Sequence, residues 1–252
     1  MRKSLTELAN NPDLIPGIYN YCDRWCERCP LTARCLVYAT ENNDPFATEN
    51  NDVQNNDIRN ATFWQRFDET LAEVRQLIPQ WAKLALNNST EQKKVRSHRR
   101  EVDNHPLTKA GKRYANAASD WFRELDQTSQ STTDPTDRNC HDLQPIEDSR
   151  EVIQWYQYQI AVKTMRALSS RNEDSEHNND FPKDSDGSAK VALIGIDRSI
   201  AAWRLMQLSL SDHAESIVPL ILQLETLRND LEVSFHQARE FLRPGFDQVP
   251  LA

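Results

Sequence analysis

Between Gly17 and Ala39 the chain reads GIYNYCDRWCERCPLTARCLVYA, and four of its five cysteines, Cys22, Cys26, Cys29 and Cys35, fall within fourteen consecutive positions. Thiolates are ligands for zinc and for iron–sulfur clusters, and thiols at short spacing can also pair as disulfides. The N-terminal stretch MRKSLTELANNPDLIPG lacks an apolar run with a small-residue cleavage site, so no signal peptide is read and a cytoplasmic, reducing setting is expected. There, clustered cysteines serve metal or redox chemistry more often than disulfides. The fifth, Cys140, stands beside His141 in a polar stretch and is not expected to take part.

Offsets of four and three would place Cys22, Cys26 and Cys29 on one sector of a helix, where cysteines can pack as small apolar side chains. Against that reading, Cys35 follows Pro30, and the intervening Asp23, Arg24, Glu27, Arg28 and Arg34 suit an exposed segment. A structural zinc ion draws four sulfurs to within about 3.8 Å of each other. Two C-x2-C knuckles usually supply them, and only Cys26–Cys29 is such a knuckle here. A helix over Cys22–Cys29 would hold its end cysteines about 10 Å apart along the axis, too far for one ion. A [4Fe–4S] cluster is wider, because each thiolate caps a different iron, and its ligands come as compact cysteine runs followed by proline, as in Cys29-Pro30. The expected site is therefore a [4Fe–4S] cluster on Cys22, Cys26, Cys29 and Cys35, with Zn2+ on the same four thiols as the alternative.

The segment CERCPLTARCLVYA (Cys26–Ala39) resembles the cluster segment of the WhiB-like iron–sulfur proteins, in which C-x2-C-P-x4-C precedes a leucine and a tyrosine-alanine pair. The resemblance covers about a twentieth of the chain. It implies that Cys26, Cys29 and Cys35 are cluster ligands, with Cys22 as the fourth at a different spacing. The glycine-rich tryptophan turn and basic C-terminal tail of that family are absent, so its DNA-binding role is not implied. The Cys22-x3-Cys26-x2-Cys29 triad also resembles the radical-SAM motif, but that enzyme class uses a glycine-bearing α/β barrel. No catalytic residue is assigned.

Composition narrows the rest. Formal charge is −8 and the pI about 5.3, so no global positive field draws the chain to nucleic acid. The five glycines are widely scattered and form neither G-x-G-x-x-G nor a P-loop, and no G-x-S-x-G or H-E-x-x-H occurs. Apolar runs such as VALIGI fall far short of the roughly 20 residues of a spanning helix, so no membrane partner is expected. One basic island, residues 93–113, holds eight Lys/Arg against two acids. It reads as a solvated hinge between helices and is the only hint of nucleic acid. Di-iron carboxylate chemistry needs Glu-x-x-His pairs on helices, and none lies in the expected ones. Lys190, Asp197 and Arg204, seven apart, would line one edge of a helix and could meet Glu151 or Lys163.

Helical periodicity dominates beyond the cysteines. Phe63, Phe67, Leu71, Val74, Ile78, Trp81 and Ala85 form one stripe, and Leu107, Ala110, Tyr114, Ala117, Trp121 and Leu125 another, with Pro106 at a first helical position. The stretch 151–168 carries two stripes, Ile153/Tyr156/Ile160/Ala167 and Trp155/Tyr158/Val162/Met165, as a helix enclosed by neighbours would. Residues 188–210 carry small residues for close helix approach, Ala189, Ala192, Gly195, Ala201 and Ala202. A last helix is expected from an Asp212/Glu215 capping box through Ala238. The expected organisation is an all-α bundle of about five long helices: a cysteine segment over 1–40 docking on it, a polar linker over 41–60, and the bundle over 61–245 with polar loops at 127–145 and 171–187. The expected function is electron transfer or redox sensing with an unidentified protein partner. The alternative is a helical scaffold for protein–protein interaction, stapled by zinc on the four cysteines, without catalysis.

Overall fold

The computed structural model describes residues 8, 10–42, 89–131, 140–176 and 183–247, and among them the chain is all-α, with no strand. The α-helices are α1 (Leu36–Asn42), α2 (Ser89–Asn104), α3 (Pro106–Ser131), α4 (Cys140–Glu176), α5 (Asp184–Ser209) and α6 (Ala214–Ser234). The helix expected from the Phe63–Ala85 stripe lies outside the described residues, as does the linker expected over 41–60 except for residues 41 and 42, which are the end of α1. By its contacts the chain divides into two compact units, one of 1–19, 24–97 and 244–252, the other of 20–23 and 98–243; the division falls inside α2.

The second unit is a four-helix arrangement in which α3 packs on α4, α4 on α5, α5 on α6 and α6 on α3. The α4–α5 contact is the most extensive. Its closeness follows from Gly195: a Cβ there would lie 2.9 Å from Tyr156 Cδ1 and 3.2 Å from Ile160 Cγ1, so only a residue without one lets these helices meet. Ala189, Ala192 and Ala202 are buried along the same helix, but Ala201 is exposed. The core is aromatic at one end. Trp121 meets Trp203 edge-on at 5.0 Å, Phe122 stacks on Trp203 at 5.4 Å, and the Trp203 indole N–H donates to the buried Tyr114 hydroxyl at 2.9 Å. Burial drives the Tyr114 phenol well above its ordinary range.

Several expectations are corrected. The 93–113 island is no hinge but two helices, α2 and the start of α3, broken only at His105 ahead of Pro106. Proline at the first position of α3 disfavours helical backbone before it, and the Lys, Arg, Gln and Glu of α2 favour helix without an apolar stripe. Both polar loops are shorter than composition predicts: α3 continues to Ser131, α4 starts at Cys140 and continues to Glu176, and α5 starts at Asp184. On α4 only one stripe is covered. Ile153, Tyr156 and Ile160 are fully buried, whereas Tyr158 and Val162 are more than half exposed. On α3 the buried line runs through Ala118 rather than Ala117. No capping box forms at Asp212: a 3-10 turn, Ser211–His213, leads into α6, and the cap residue is His213 without a side-chain cap. The last helix stops at Ser234, not Ala238, and the chain then turns so that Phe235, Ala238 and Phe241 are all buried.

The Lys190, Asp197 and Arg204 line meets α6 and the turn after it. Lys190 Nζ donates to the carbonyls of Phe241 (2.5 Å) and Arg239 (3.3 Å). Asp197 pairs with Arg239 (2.6 Å) and Arg228 (3.5 Å), and Arg204 pairs with Glu225 (2.9 Å). The line therefore ties α5 to α6 and to the turn that follows it.

In the first unit the cysteine segment folds on a small apolar centre. Ile18 and Trp25 are buried, and Arg28 lies over the Trp25 ring at 4.4 Å. Gly245, near the C-terminus, reaches the same centre: a Cβ on it would lie 2.8 Å from Ile15 Cδ1 and 3.2 Å from Ile18 Cδ1, and its φ of +77° is one that side chains oppose.

Candidate metal centre

The backbone between Cys22 and Cys29 is not α-helical, which removes the reading of these thiols as the packed face of a helix. Two three-residue 3-10 turns shape the segment instead, Cys26–Arg28 and Thr32–Arg34. They repeat one geometry. The Cys29 N–H donates to the Cys26 carbonyl at 3.2 Å and the Cys35 N–H to the Thr32 carbonyl at 3.1 Å. Each turn ends on a cysteine in extended backbone, Cys29 at φ −91°, ψ 122° and Cys35 at φ −109°, ψ 121°. Pro30 follows the first turn and has no N–H, so the nearest following donor is Leu31, whose N–H points at Cys29 Sγ at 3.4 Å.

The segment is cross-linked to the residues before it. The Ile15 N–H donates to the Arg34 carbonyl (2.9 Å), and Arg34 Nε returns a bond to the Asp13 carbonyl (3.2 Å). Arg24 adopts a left-handed φ of 58°, unusual for a residue with a side chain, and pairs with Glu41 of α1 at 2.9 Å.

Cys22 is held differently. It lies in the tetrapeptide Asn20–Asp23, which belongs to the helical unit and is gripped there by α4 and α5. The Asp23 carbonyl accepts the Trp155 indole N–H at 3.0 Å and the Gln159 amide. The Asp23 carboxylate accepts the Tyr156 hydroxyl at 2.5 Å and Arg198 Nη1 at 2.8 Å, and Arg198 also donates to the Tyr156 hydroxyl. Burial first, and the Asp23 carboxylate second, push the Tyr156 phenol well above its usual range, so it stays a donor. On the other side of Cys22, the Asn20 carbonyl accepts Arg166 Nη1 (3.3 Å) and Lys163 Nζ (3.5 Å), and the Tyr21 hydroxyl donates to Asp184 at 2.9 Å. Asp184 also takes Ser170 (2.7 Å) and Arg166 (3.1 Å). Burial works to raise its pKa, yet these donors together hold its carboxyl below the ordinary range.

All four predicted thiols are half-buried. In kind the donors fit a cluster or zinc: four sulfurs in one short segment, with a backbone N–H already aimed at one of them. Among the described residues no three His, Cys, Asp or Glu side chains are gathered closely enough to hold a metal ion. Cys140, set aside on sequence grounds, is the first residue of α4. Sequence reasoning missed the grip on Asn20–Asp23. Its partners lie more than a hundred residues away (Tyr156 is 133 positions from Asp23), and Asp23 on its own reads as one more surface acid. Among the described residues no helix is long and apolar enough to cross a membrane.

No protein-family model matches the chain, and no curated protein or solved structure matches it.

Proposed function

We propose that Cys22, Cys26, Cys29 and Cys35 hold one [4Fe–4S] cluster and that the protein works in electron transfer or redox sensing in the cytoplasm. The observation that carries this reading is the paired geometry at Cys29 and Cys35: two thiols delivered by matching 3-10 turns, the first followed by proline and receiving the Leu31 N–H. When bound, such a cluster supplies one-electron chemistry, tuned by hydrogen bonds to its sulfurs and by solvent exposure. The chain's own contribution is to present the thiols. Leu31 N–H orients Cys29, the 3-10 turns fix the backbone at Cys26 and Cys35, and Trp155, Tyr156, Gln159 and Arg198 hold the backbone beside Cys22.

A structural Zn2+ on the same thiols is the second reading, and one observation favours it. Because Cys22–Cys29 is not a helix, the axial separation that would keep four sulfurs from a single ion does not arise. Anaerobic purification with iron, sulfide and zinc quantified on one sample tests both. About four irons and four sulfides per chain support the cluster, about one zinc without sulfide supports the staple, and substoichiometric amounts of all three overturn both.

A further inference from the structure

Along α6 and the turn after it several charged side chains pair off: Glu225 with Arg204, Arg228 and Arg239 with Asp197, and Glu232 with Arg239. Asp230 of α6 and Arg113 of α3 do not. Both are exposed, and among the described residues neither has an ion pair or a side-chain hydrogen bond. They line one groove of about 460 Å3 between α3 and α6, wholly within the helical unit, and its other lining residues carry no charge.

The two helices run antiparallel. Trp121 of α3 donates to Ser216, near the start of α6, at 2.9 Å, while Pro106, the first residue of α3, shares the groove with Asp230, near the end of α6. At about 1.5 Å per residue, Arg113 stands about 10 Å along the groove from the Pro106 end. The groove is therefore negative at one end and positive at the other, with Ala110 and Leu227 between. Leu222, 55% exposed, rises from α6 beside the Arg113 end, and Val218, 40% exposed, stands one turn before it. The nearest other charges lie outside the groove: Lys109 is about 40° further round α3, away from α6, and Glu215 is about two turns before Leu222.

We propose that this groove is a homodimer interface, occupied by the same groove of a second copy of the chain. A two-fold axis through the middle of the groove exchanges its ends, so that Arg113 of each copy faces Asp230 of the other. Both charges left single within the chain are then paired, twice over. An unlike partner would have to carry the reversed pattern separately, whereas a second copy carries it by symmetry. The same axis brings each Leu222 against the Pro106 end of the facing groove, where its exposed area leaves water. The interface uses none of the thiols and stands whether or not a cluster is bound.

Sedimentation velocity of the full chain over an about hundredfold concentration range tests this, with reductant present so that no intermolecular disulfide forms. The native chain should pass from monomer to dimer. Arg113→Glu alone, or Asp230→Lys alone, should weaken the dimer about thirty-fold, because attraction becomes repulsion at both symmetry-related contacts. An equimolar mixture of the two variants should dimerise as the native chain does. In the mixed dimer the introduced glutamate faces the introduced lysine, and the native Asp230 faces the native Arg113; pairing within one chain would not be rescued by mixing. Leu222→Asn should weaken the dimer about tenfold or more with the helical signal intact, since the side chain is exposed. A native chain that stays monomeric throughout would overturn the proposal and leave the groove to a different protein. Dimers indifferent to the charge reversals, or variants that mixing does not restore, would overturn it as well.

Discussion

Gly187 stands near the start of α5, and its substitution by alanine probes how the Cys22 arm is held. Ordinarily Gly→Ala inside a helix stabilises by about 1 kcal/mol. Here the new Cβ would lie 2.4 Å from Tyr21 Cε1, 2.6 Å from Tyr21 Cδ1 and 2.7 Å from Phe241 Cζ, so both rings must move. Tyr21 is not a loose end. Its ring packs on Phe241 at a centroid distance of 4.7 Å, and its hydroxyl donates to Asp184 at 2.9 Å. Overpacking costs about 1–3 kcal/mol and a hydrogen bond to a charged acceptor is worth about 1.5–3 kcal/mol. Less the helix gain, Gly187→Ala should destabilise by about 1.5–5 kcal/mol. Urea denaturation followed by helical circular dichroism measures it. The decisive comparison is the same change in a Tyr21→Leu background, where ring and hydroxyl are already gone and the Phe241 Cζ contact remains: there Gly187→Ala should cost less, about 0–2 kcal/mol. Hydrogen exchange of residues 20–23 should speed up when Gly187→Ala is added to the native chain, and little further when it is added to Tyr21→Leu. If Gly187→Ala stabilises the otherwise native chain, or costs the same in both backgrounds, the arm is not held through Tyr21 as described.

Serine at Cys22, Cys26, Cys29 or Cys35 should each lose most bound metal on anaerobic purification, while Cys140→Ser retains it; equal metal in all five variants would refute the site. Gly245→Ala should destabilise the cysteine-bearing unit by about 1–2 kcal/mol, because the left-handed backbone and the Ile15 contact both oppose a Cβ, and Gly245→Asn should cost less on the backbone count. Faster amide exchange at Ile18, whose N–H bonds the Ile15 carbonyl, would report it. Asp184 has a folded-state pKa below its unfolded value, so it contributes stability that is complete above the unfolded pKa of about 3.9 and is lost as pH falls through the folded value. Asp184→Asn should remove that part of the acid dependence, and an acid-unfolding curve parallel to that of the native chain would contradict the assignment.

What the sequence made legible follows how far each signal reaches along the chain. The helical stripes of α3, α4, α5 and α6 depend on residues three and four apart, and they emerge with Leu107, Tyr114, Ile160, Leu224 and Leu231 buried as expected. Helix α2 was not legible, because its stability comes from backbone propensity, with Val102 alone buried among its described side chains, and an amphipathic template passes over it. The second stripe of α4 misleads for the opposite reason: apolar Tyr158 and Val162 satisfy the template but stay in solvent, and Tyr158 instead bonds Ser119 through its hydroxyl at 2.8 Å. Around the thiols, the sequence carried ligand identities and spacing but not backbone form. Offsets of four and three fit a helix, and what prevents one is tertiary: the Asn20 and Asp23 carbonyls, which a helix would need for itself, are bonded to α4 instead.

That loss of helix also changes how the metal must be identified. With Cys22–Cys29 helical, about 10 Å of axial separation would have excluded a single ion, and ligand spacing alone would have pointed to the wider cluster. With 3-10 turns ending on extended Cys29 and Cys35, that axial separation no longer decides between the two centres. Cysteine substitutions then answer only which residues bind, because a cluster and a zinc ion both lose a ligand when a thiol becomes a hydroxyl. Iron alone is a weak discriminator too, since a thiolate site that holds zinc also takes iron(II) when iron is in excess. Inorganic sulfide is different. Only the cluster contains it, in a one-to-one ratio with iron, and no arrangement of this chain's side chains supplies it to a mononuclear site. Sulfide near the iron content in the native chain, falling together with iron in Cys29→Ser, is the result the cluster requires; iron without sulfide would leave the zinc staple as the function of this segment.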